Sequence, residues 1–431
     1  MKKECRMLSV ALLLAAVLLA PLRLTAAELT ALAQKLQALP DVSHVERLES
    51  SVFPEKYEFF ITQPLDADRP CHGTFEQRVI LCHRGFDKPT VLVTEGYNAD
   101  YALRKDYVEE LSRLFDTNIV TVEYRYFGKS MPDPCDWQYL TVANSMYDLH
   151  HVNETLHALY KGKWISTGIS KGGQTTMFYR VFYPNDVDIS VPYVAPLNRS
   201  VEDGRHEIFL QSQVSTPENR QKVLDFQMLL FKRKGNLLKL FENYCRLKQY
   251  KFQIPLNEIY DFNVFEYAFA FWQWGYDVNA IPTVKDDDDT VFNYWIKICE
   301  PDYFSEQTPY LSFNVQAARE LGYYGYYTEP FKQYLSVATP KGYLHRVMLP
   351  DSLQNVTFNP TLYNRTVNFL KTNDPKMVYI YGGIDPWGAS GIAGEPWLKG
   401  KRTCMSTCAR ADHIKPVFSH FLKKQETKSL N

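Results

Sequence analysis

An α/β fold, a mostly parallel sheet with helices on both faces and a large helical insertion, is what this sequence predicts from three observations. Apolar strand-like runs alternate with helical stretches between Pro89 and Val194, the pattern of strands joined by crossover helices. That alternation fades between about Asp203 and Pro350, where aromatic-rich helical stretches take over. It resumes at Met377-Val378-Tyr379-Ile380-Tyr381. With 431 residues, 45% of them hydrophobic and 14% aromatic, the chain can bury a large core, which excludes global disorder. The expected organisation is 1–27 as an export segment, 28–202 as the first part of the core, 203–350 as a helical cap and 351–431 as the second part of the core.

Taken in order, Lys2, Lys3 and Arg6 precede an almost wholly apolar run from Leu8 to Leu22, and Thr25-Ala26-Ala27 offers small residues for cleavage before Glu28. This is the pattern of a secretory signal, so the mature protein is expected to be exported, periplasmic or secreted. No later stretch has the ~18 consecutive apolar residues of a membrane span, and no stable membrane insertion is expected after cleavage. Glu28 to Leu39 has helical spacing and ends at Pro40. Tyr57 to Thr62 and Phe75 to Leu81 read as strands rich in aromatic and β-branched residues. Pro89 to Thr94 is a continuous apolar run, as a strand covered on both faces requires. Tyr101 to Phe115 reads as a helix, Ile119 to Tyr124 as a second buried strand, and Tyr139 to Tyr160 as a long helix. Trp164 to Thr167 and Ile189 to Val194 complete the strands of the first half. In the insertion, Glu218 to Phe241 and Asn263 to Trp274 read as helices. Asp286 to Asp289 reads as a solvated loop, with calcium binding as the alternative. A weaker strand at Thr403 to Thr407 and a last helix through Leu422 end the chain, and no internal repeat is present.

Charge excludes one function class. The 48 Lys and Arg against 49 Asp and Glu give no electrostatic reason to expect a nucleic-acid partner. Beyond Cys5, seven cysteines remain, and export makes some disulfides expected. Cys71 and Cys82 flank a turn and strand and form the favoured pair. Cys404 and Cys408, with three residues between them, lack a second ligand pair of suitable type, so neither a metal nor another cofactor is expected.

The chemistry centres on Gly168-Ile169-Ser170-Lys171-Gly172-Gly173, which follows a strand and precedes the breaker-free stretch Gln174 to Tyr179. Strand, sharp turn and helix around G-x-S-x-G form the nucleophile elbow of the α/β-hydrolase fold. A serine hydroxyl needs a base, and the base needs a carboxylate to orient it. In this fold they follow in the order Ser, Asp or Glu, His, on loops after late strands. Ser170, Asp385 and His413 meet that order; His420, the other histidine after Asp385, falls in the expected terminal helix. The oxyanion of the tetrahedral intermediate needs two fixed N–H donors. The Lys171 amide, just after the nucleophile, is one, and the Tyr97 amide is the other, with Gly96 allowing close backbone approach.

Four segments carry a resemblance to a known family: Glu95-Gly96-Tyr97-Asn98, Glu123 to Ser130 (EYRYFGKS), Gly168 to Gly173, and Gly383-Ile384-Asp385-Pro386-Trp387. In that order they resemble the secreted streptomycete-type serine tripeptidyl aminopeptidases. They are more distantly similar to the prolylcarboxypeptidase and dipeptidyl peptidase II family. The likeness runs from about Glu95 to Pro196 and from Met377 to His413, and is thin over the insertion, where Glu320-Leu321-Gly322-Tyr323-Tyr324 is the most suggestive piece. Lys171 departs from the more distant family, which usually has tyrosine there.

The resemblance implies a serine exopeptidase that releases tri- or dipeptides from free N-termini, often with proline beside the cleaved bond. Its partners would be peptides with a free amine. Such an enzyme needs an anion for the substrate ammonium, for which Glu95, Glu266 and Glu320 are candidates, each equally open to a structural ion-pair role. It also needs an apolar pocket for the proline ring. Phe269, Phe271, Trp272 and Trp274 could line that pocket or pack the cap core. Arg125 reads as a structural anchor. Two other readings keep the fold: an esterase or lipase, and a non-catalytic binding module, against which the intact Ser170, Asp385 and His413 speak.

Overall fold

The computed structural model describes residues 30–393, 395–398 and 404–408. The expected export segment, the terminal helix and His413 lie outside them. Two compact units divide the chain after Leu39. In the first, the helix Ala31–Gln37 is capped by Thr30, whose hydroxyl accepts from the Ala33 N–H at 3.2 Å.

The second unit holds one sheet of nine strands: β1 (Val42–Arg47), β2 (Glu55–Pro64), β3 (Thr74–His83), β4 (Thr90–Thr94), β5 (Asn118–Val122), β6 (Trp164–Ile169), β7 (Ile189–Tyr193), β8 (Val378–Gly382) and β9 (Cys404–Cys408). Their order across the sheet is β1-β2-β3-β5-β4-β6-β7-β8-β9. The first three strands and the β3–β5 contact are antiparallel; from β5 to β9 every pairing is parallel. This mixed order with its parallel half is the α/β-hydrolase arrangement.

Burial explains which strands were legible. All five residues of β4 and of β5 are buried, so both read as continuous apolar runs. Val91 and Val93 of β4 pack with Ile80, Ile119, Val191, Tyr193 and Ile380 in one core cluster. β1 lies at the sheet edge with no buried residue; its sequence, VSHVER, has no apolar signature, and only pairing with β2 makes it a strand.

Between β7 and β8 all the described regular elements are helical, from Arg205–Ile208 to Thr361–Thr372. Three stretches differ in kind from the sequence reading. The stretch Tyr101 to Phe115 is a short 3₁₀ turn, Asp100–Leu103, and a six-residue helix, Glu110–Phe115. Glu218 to Phe241 is two helices, Pro217–Lys232 and Lys234–Lys248. The acidic run is a helix start: Asp287 caps Asp288–Ile298 and accepts from the Thr290 N–H at 2.7 Å. Carboxylates there complement the exposed N–H groups and the helix dipole, and no group of metal-ligand type forms among the described residues.

The favoured disulfide is absent. Cys71, in the turn Pro70–His72, is exposed and free, and Cys82 is buried and free. Strand β3 runs unbroken from Thr74 to His83 and carries Cys82 roughly 25 Å from the end near Cys71, at ~3.3 Å per residue, far beyond disulfide reach.

Candidate active site

Ser170 sits where β6 ends and the helix Lys171–Phe182 begins, at the C-terminal end of a parallel strand. Its backbone has φ 60° and ψ −121°, a conformation that non-glycine residues adopt only where their surroundings impose it. Those surroundings are backbone. The Ser170 N–H donates to the Tyr193 carbonyl at the end of β7, 3.0 Å away. A Cβ at Gly168 would lie 2.4 Å from the Gly172 carbonyl oxygen, and one at Gly173 only 2.2 Å from that of Tyr193. The turn is thus too tight for any side chain at either position. Thr94, at the end of β4, fixes the first turn of the helix, its hydroxyl donating to the Gly172 carbonyl at 3.1 Å.

Asp385 lies three residues beyond β8, fully buried, and accepts from the Trp387 N–H at 3.0 Å. Both acid and serine therefore stand at C-terminal strand ends, the edge where open α/β sheets place their sites. His413 cannot be placed beside them, being outside the described residues. His206 is close but cannot serve as the base. Its Nδ1 donates to the Pro386 carbonyl at 3.0 Å, and its Nε2 lies 2.9 Å from the Asn198 side-chain amide. Both ring nitrogens are thus engaged, and burial pushes its pKa down to about 4. His206 fastens the loop after β8 to the segment after β7, a role with no sequence signal because it depends on a contact 180 residues away.

The space at Ser170 is small. A cavity of about 10 Å³, room for about one water, is walled by Tyr97, Gln174, Pro196, Asn198, Phe313 and Trp387. The Tyr97 side chain lines the cavity beside Ser170, and burial raises the phenol pKa. Phe127, Tyr310 and Phe313 meet the Tyr97 ring edge-on at 5.6 to 5.9 Å between centroids. Gly322, in the suggestive Glu320 to Tyr324 segment, also lines the cavity. It has φ +72°, and a Cβ there would meet Ser200 and Asn198.

The three acidic candidates separate. Glu266 is buried and its Oε2 accepts from the Tyr324 and Tyr326 hydroxyls at 2.9 and 2.7 Å. It has no cationic partner among the described residues, and burial lifts its pKa to about 8. Tyr324 stacks on Phe269 at 3.8 Å, and both rings meet Trp387 edge-on at 5.3 and 5.2 Å. An aromatic wall therefore links Glu266 to the Ser170 cavity. Glu320 is otherwise occupied: it accepts from the Val142 N–H at 2.6 Å, at the start of the helix Val142–His157. Glu95 accepts from the Tyr101 hydroxyl. Burial raises both carboxyls to about 7.

Of the aromatic candidates, Phe269 alone touches Trp387. Phe271 is buried against Tyr267 and Trp272. Trp272 lines a separate cap cavity of about 390 Å³ that reaches Tyr326, and Trp274 is 44% exposed at the helix end.

The segment Glu123 to Ser130 is a scaffold under this site. Glu123 accepts from the Ala99, Lys129 and Ser130 N–H groups at 3.1, 2.8 and 3.0 Å and pairs with Arg78. Arg125 is saturated by a two-pronged bond to Asp148, both at 2.7 Å, and by the carbonyls of Pro64, Leu65 and Tyr139. Nothing of it is left to reach a substrate.

Comparison with known proteins places this chain in a peptidase family. The model of the PS-10 peptidase S37 family matches residues 27–401. The prolyl tri/tetrapeptidyl aminopeptidase of Streptomyces mobaraensis is 30% identical over 352 residues, 79% of this chain and 70% of that protein. A probable serine protease of Arabidopsis thaliana, EDA2, is 27% identical over 147 residues, 30% of each chain. Among solved structures, the proline iminopeptidase of Mycobacterium smegmatis aligns with a TM-score of 0.38 and 12% identity, over 86% of this chain and 95% of that one. A strained serine elbow on this sheet, in a chain matched over most of its length by one peptidase family, identifies a serine peptidase belonging to the PS-10 peptidase S37 family.

Proposed function

We propose that this peptidase removes short peptides, of three or two residues, from free N-termini, preferring proline beside the cleaved bond. Ser170 is the nucleophile, His413 the general base and Asp385 the carboxylate that orients it. Ser170 Oγ attacks the scissile carbonyl as its proton passes to His413, and the same proton then goes to the departing amine. Water, activated in turn by His413, hydrolyses the acyl-enzyme and restores Ser170. The Lys171 and Tyr97 amides receive the oxyanion.

The observation that carries the exopeptidase reading is Glu266. A carboxyl buried against two tyrosine hydroxyls, with no cationic partner among the described residues, and joined to Ser170 by the aromatic wall is what an ammonium would complete. Burying an ammonium unpaired is costly, whereas pairing it with Glu266 offsets that cost and holds the carboxyl ionised. Phe269 and Trp387 supply an apolar surface for a proline ring. The relative's name, a prolyl tri/tetrapeptidyl aminopeptidase, agrees with both features. Lys2, Lys3, Arg6 and the apolar run to Leu22 further support export, with the mature chain starting at Glu28; N-terminal sequencing of the exported protein tests this, and a cytoplasmic chain starting at Met1 would contradict it.

Chromogenic tri- and dipeptidyl substrates test the activity. Hydrolysis is expected with a free amine, to be lost on acetylating that amine, and to fall about 10⁴-fold or more in Ser170→Ala. Turnover of short acyl esters with none of peptides would overturn the reading in favour of an esterase.

A further inference from the structure

Lys171 looks misplaced: a lysine directly after the nucleophile, 2% exposed, with no carboxylate within ion-pair distance among the described residues. Its nitrogen lies 3.2 Å from the centre of the Tyr124 ring, with Phe127 and Tyr97 at 5.4 and 5.8 Å. Its one hydrogen bond among the described residues is to the carbonyl oxygen of Gly96, at 2.8 Å. Burying an amine this fully is unfavourable, and its pKa is driven well down despite Glu320 and Glu95 nearby. Packing alone does not account for such a group, because a methionine would fill the aromatic box without that cost.

The Gly96 carbonyl belongs to the peptide whose other end is the Tyr97 N–H. In a trans peptide the C=O and N–H point in opposite directions within one plane, so the bond from Lys171 fixes where the Tyr97 N–H is aimed. The neighbouring groups are held as well. The Tyr97 carbonyl accepts from the Tyr124 N–H at 3.1 Å, and the Ala99 N–H donates to Glu123. The Tyr97 N–H itself has no partner within the described residues, and neither does the Lys171 N–H in the first turn of its helix. Gly96 must be glycine for this contact, since a Cβ there would sit 2.5 Å from Lys171 Cβ.

We propose that Lys171 is a positioning residue for catalysis: its backbone N–H is one oxyanion donor, and its side chain, by holding the Gly96 carbonyl, aims the second, the Tyr97 N–H. This rests on Ser170 being the nucleophile and on those two amides receiving the oxyanion. The bond needs an N–H and not a charge, so a neutral amine serves as well as an ammonium. A lysine can make this bond because its stem spans from the elbow, through a ring of aromatics, to a carbonyl on the facing loop.

The test is Lys171→Met in the full-length protein, which keeps the stem and removes the donor. The expected result is a kcat about 10- to 100-fold lower, as for a misaimed catalytic group, with KM within about threefold. Affinity for a peptide aldehyde, which forms a tetrahedral oxyanion adduct with the serine, should fall by the same factor as kcat/KM. Affinity for the matching peptide alcohol, which forms no adduct with the serine and carries no charge there, should stay within about twofold. If the methionine variant does not fold, Lys171→Gln, a shorter donor, should show a loss of the same kind. Unchanged kcat and aldehyde affinity would overturn the proposal. So would an equal loss of affinity for aldehyde and peptide alcohol, which marks a merely structural residue. Failure of the underlying reading looks different: the wild-type protein would not bind the aldehyde, or Ser170→Ala would retain activity.

Discussion

Glu266 and His206 are buried titratable groups in the same cap, and their shifts have opposite signs. Glu266 has its pKa raised to about 8, and on the proposed reading pairing with the substrate ammonium would draw off the proton it holds. Glu266→Gln keeps the tyrosine contacts and removes the charge. It should raise KM for free-amine substrates about 10- to 100-fold, in line with a buried charged hydrogen bond, and narrow the preference for free over acetylated N-termini. Retention of that preference would assign the ammonium to another group. His206, held neutral with its pKa near 4, acts on stability. The unfolded chain protonates it near pH 6.5 while the folded chain resists, so its contribution is complete above about pH 6.5. It is lost as pH falls toward 4, by roughly 3 kcal/mol in all. Urea midpoints at pH 7 and pH 5 should therefore differ less in His206→Gln than in the wild type; equal differences would contradict this.

At the scale of elements, the elbow and its scaffold divide what the sequence could and could not reveal. Ser170 was legible because its turn needs a local pattern: glycines where β7 and the elbow helix leave no room for a Cβ. Strands β4 and β5 were legible because burial on both faces forces an apolar run. Arg125 could be read as an anchor, but its partner Asp148, 23 residues on, could not. Breaking that pair by Arg125→Met should destabilise the protein by about 3–5 kcal/mol, because Asp148 is left buried and uncompensated, a loss readable from chemical denaturation. A change below about 1 kcal/mol would show that the pair is not the anchor described. The same limit explains the Cys71–Cys82 error: proximity along the chain suggested a pair that a ten-residue strand pulls apart.

Across the whole molecule, the residues proposed for catalysis were more legible than those proposed to choose the substrate. Ser170 and Asp385 follow strands whose order is a property of the fold, and their places at the strand ends could be anticipated. The cap is built from helices whose aromatic faces give no indication of which neighbour they meet. Phe269 and Trp272 stand three residues apart on one helix, yet the first faces Trp387 and the second a cavity of about 390 Å³. Glu95, Glu266 and Glu320 were equivalent as letters and were separated only by their partners: a tyrosine, two tyrosines, and a helix start. Lys171, the residue least explicable from its neighbours in sequence, gains a role only when the loop after β4 is folded against it.

The most direct test of the account follows the products of one peptide by mass spectrometry. A peptide with proline at its third position is incubated with the wild-type protein or with Ser170→Ala, with its N-terminus free or acetylated. Release of the N-terminal tripeptide ending in proline is expected from the free form alone, and by the wild type alone. Cleavage of the acetylated peptide at the same rate, internal cleavage of the chain, or undiminished release by Ser170→Ala would contradict it.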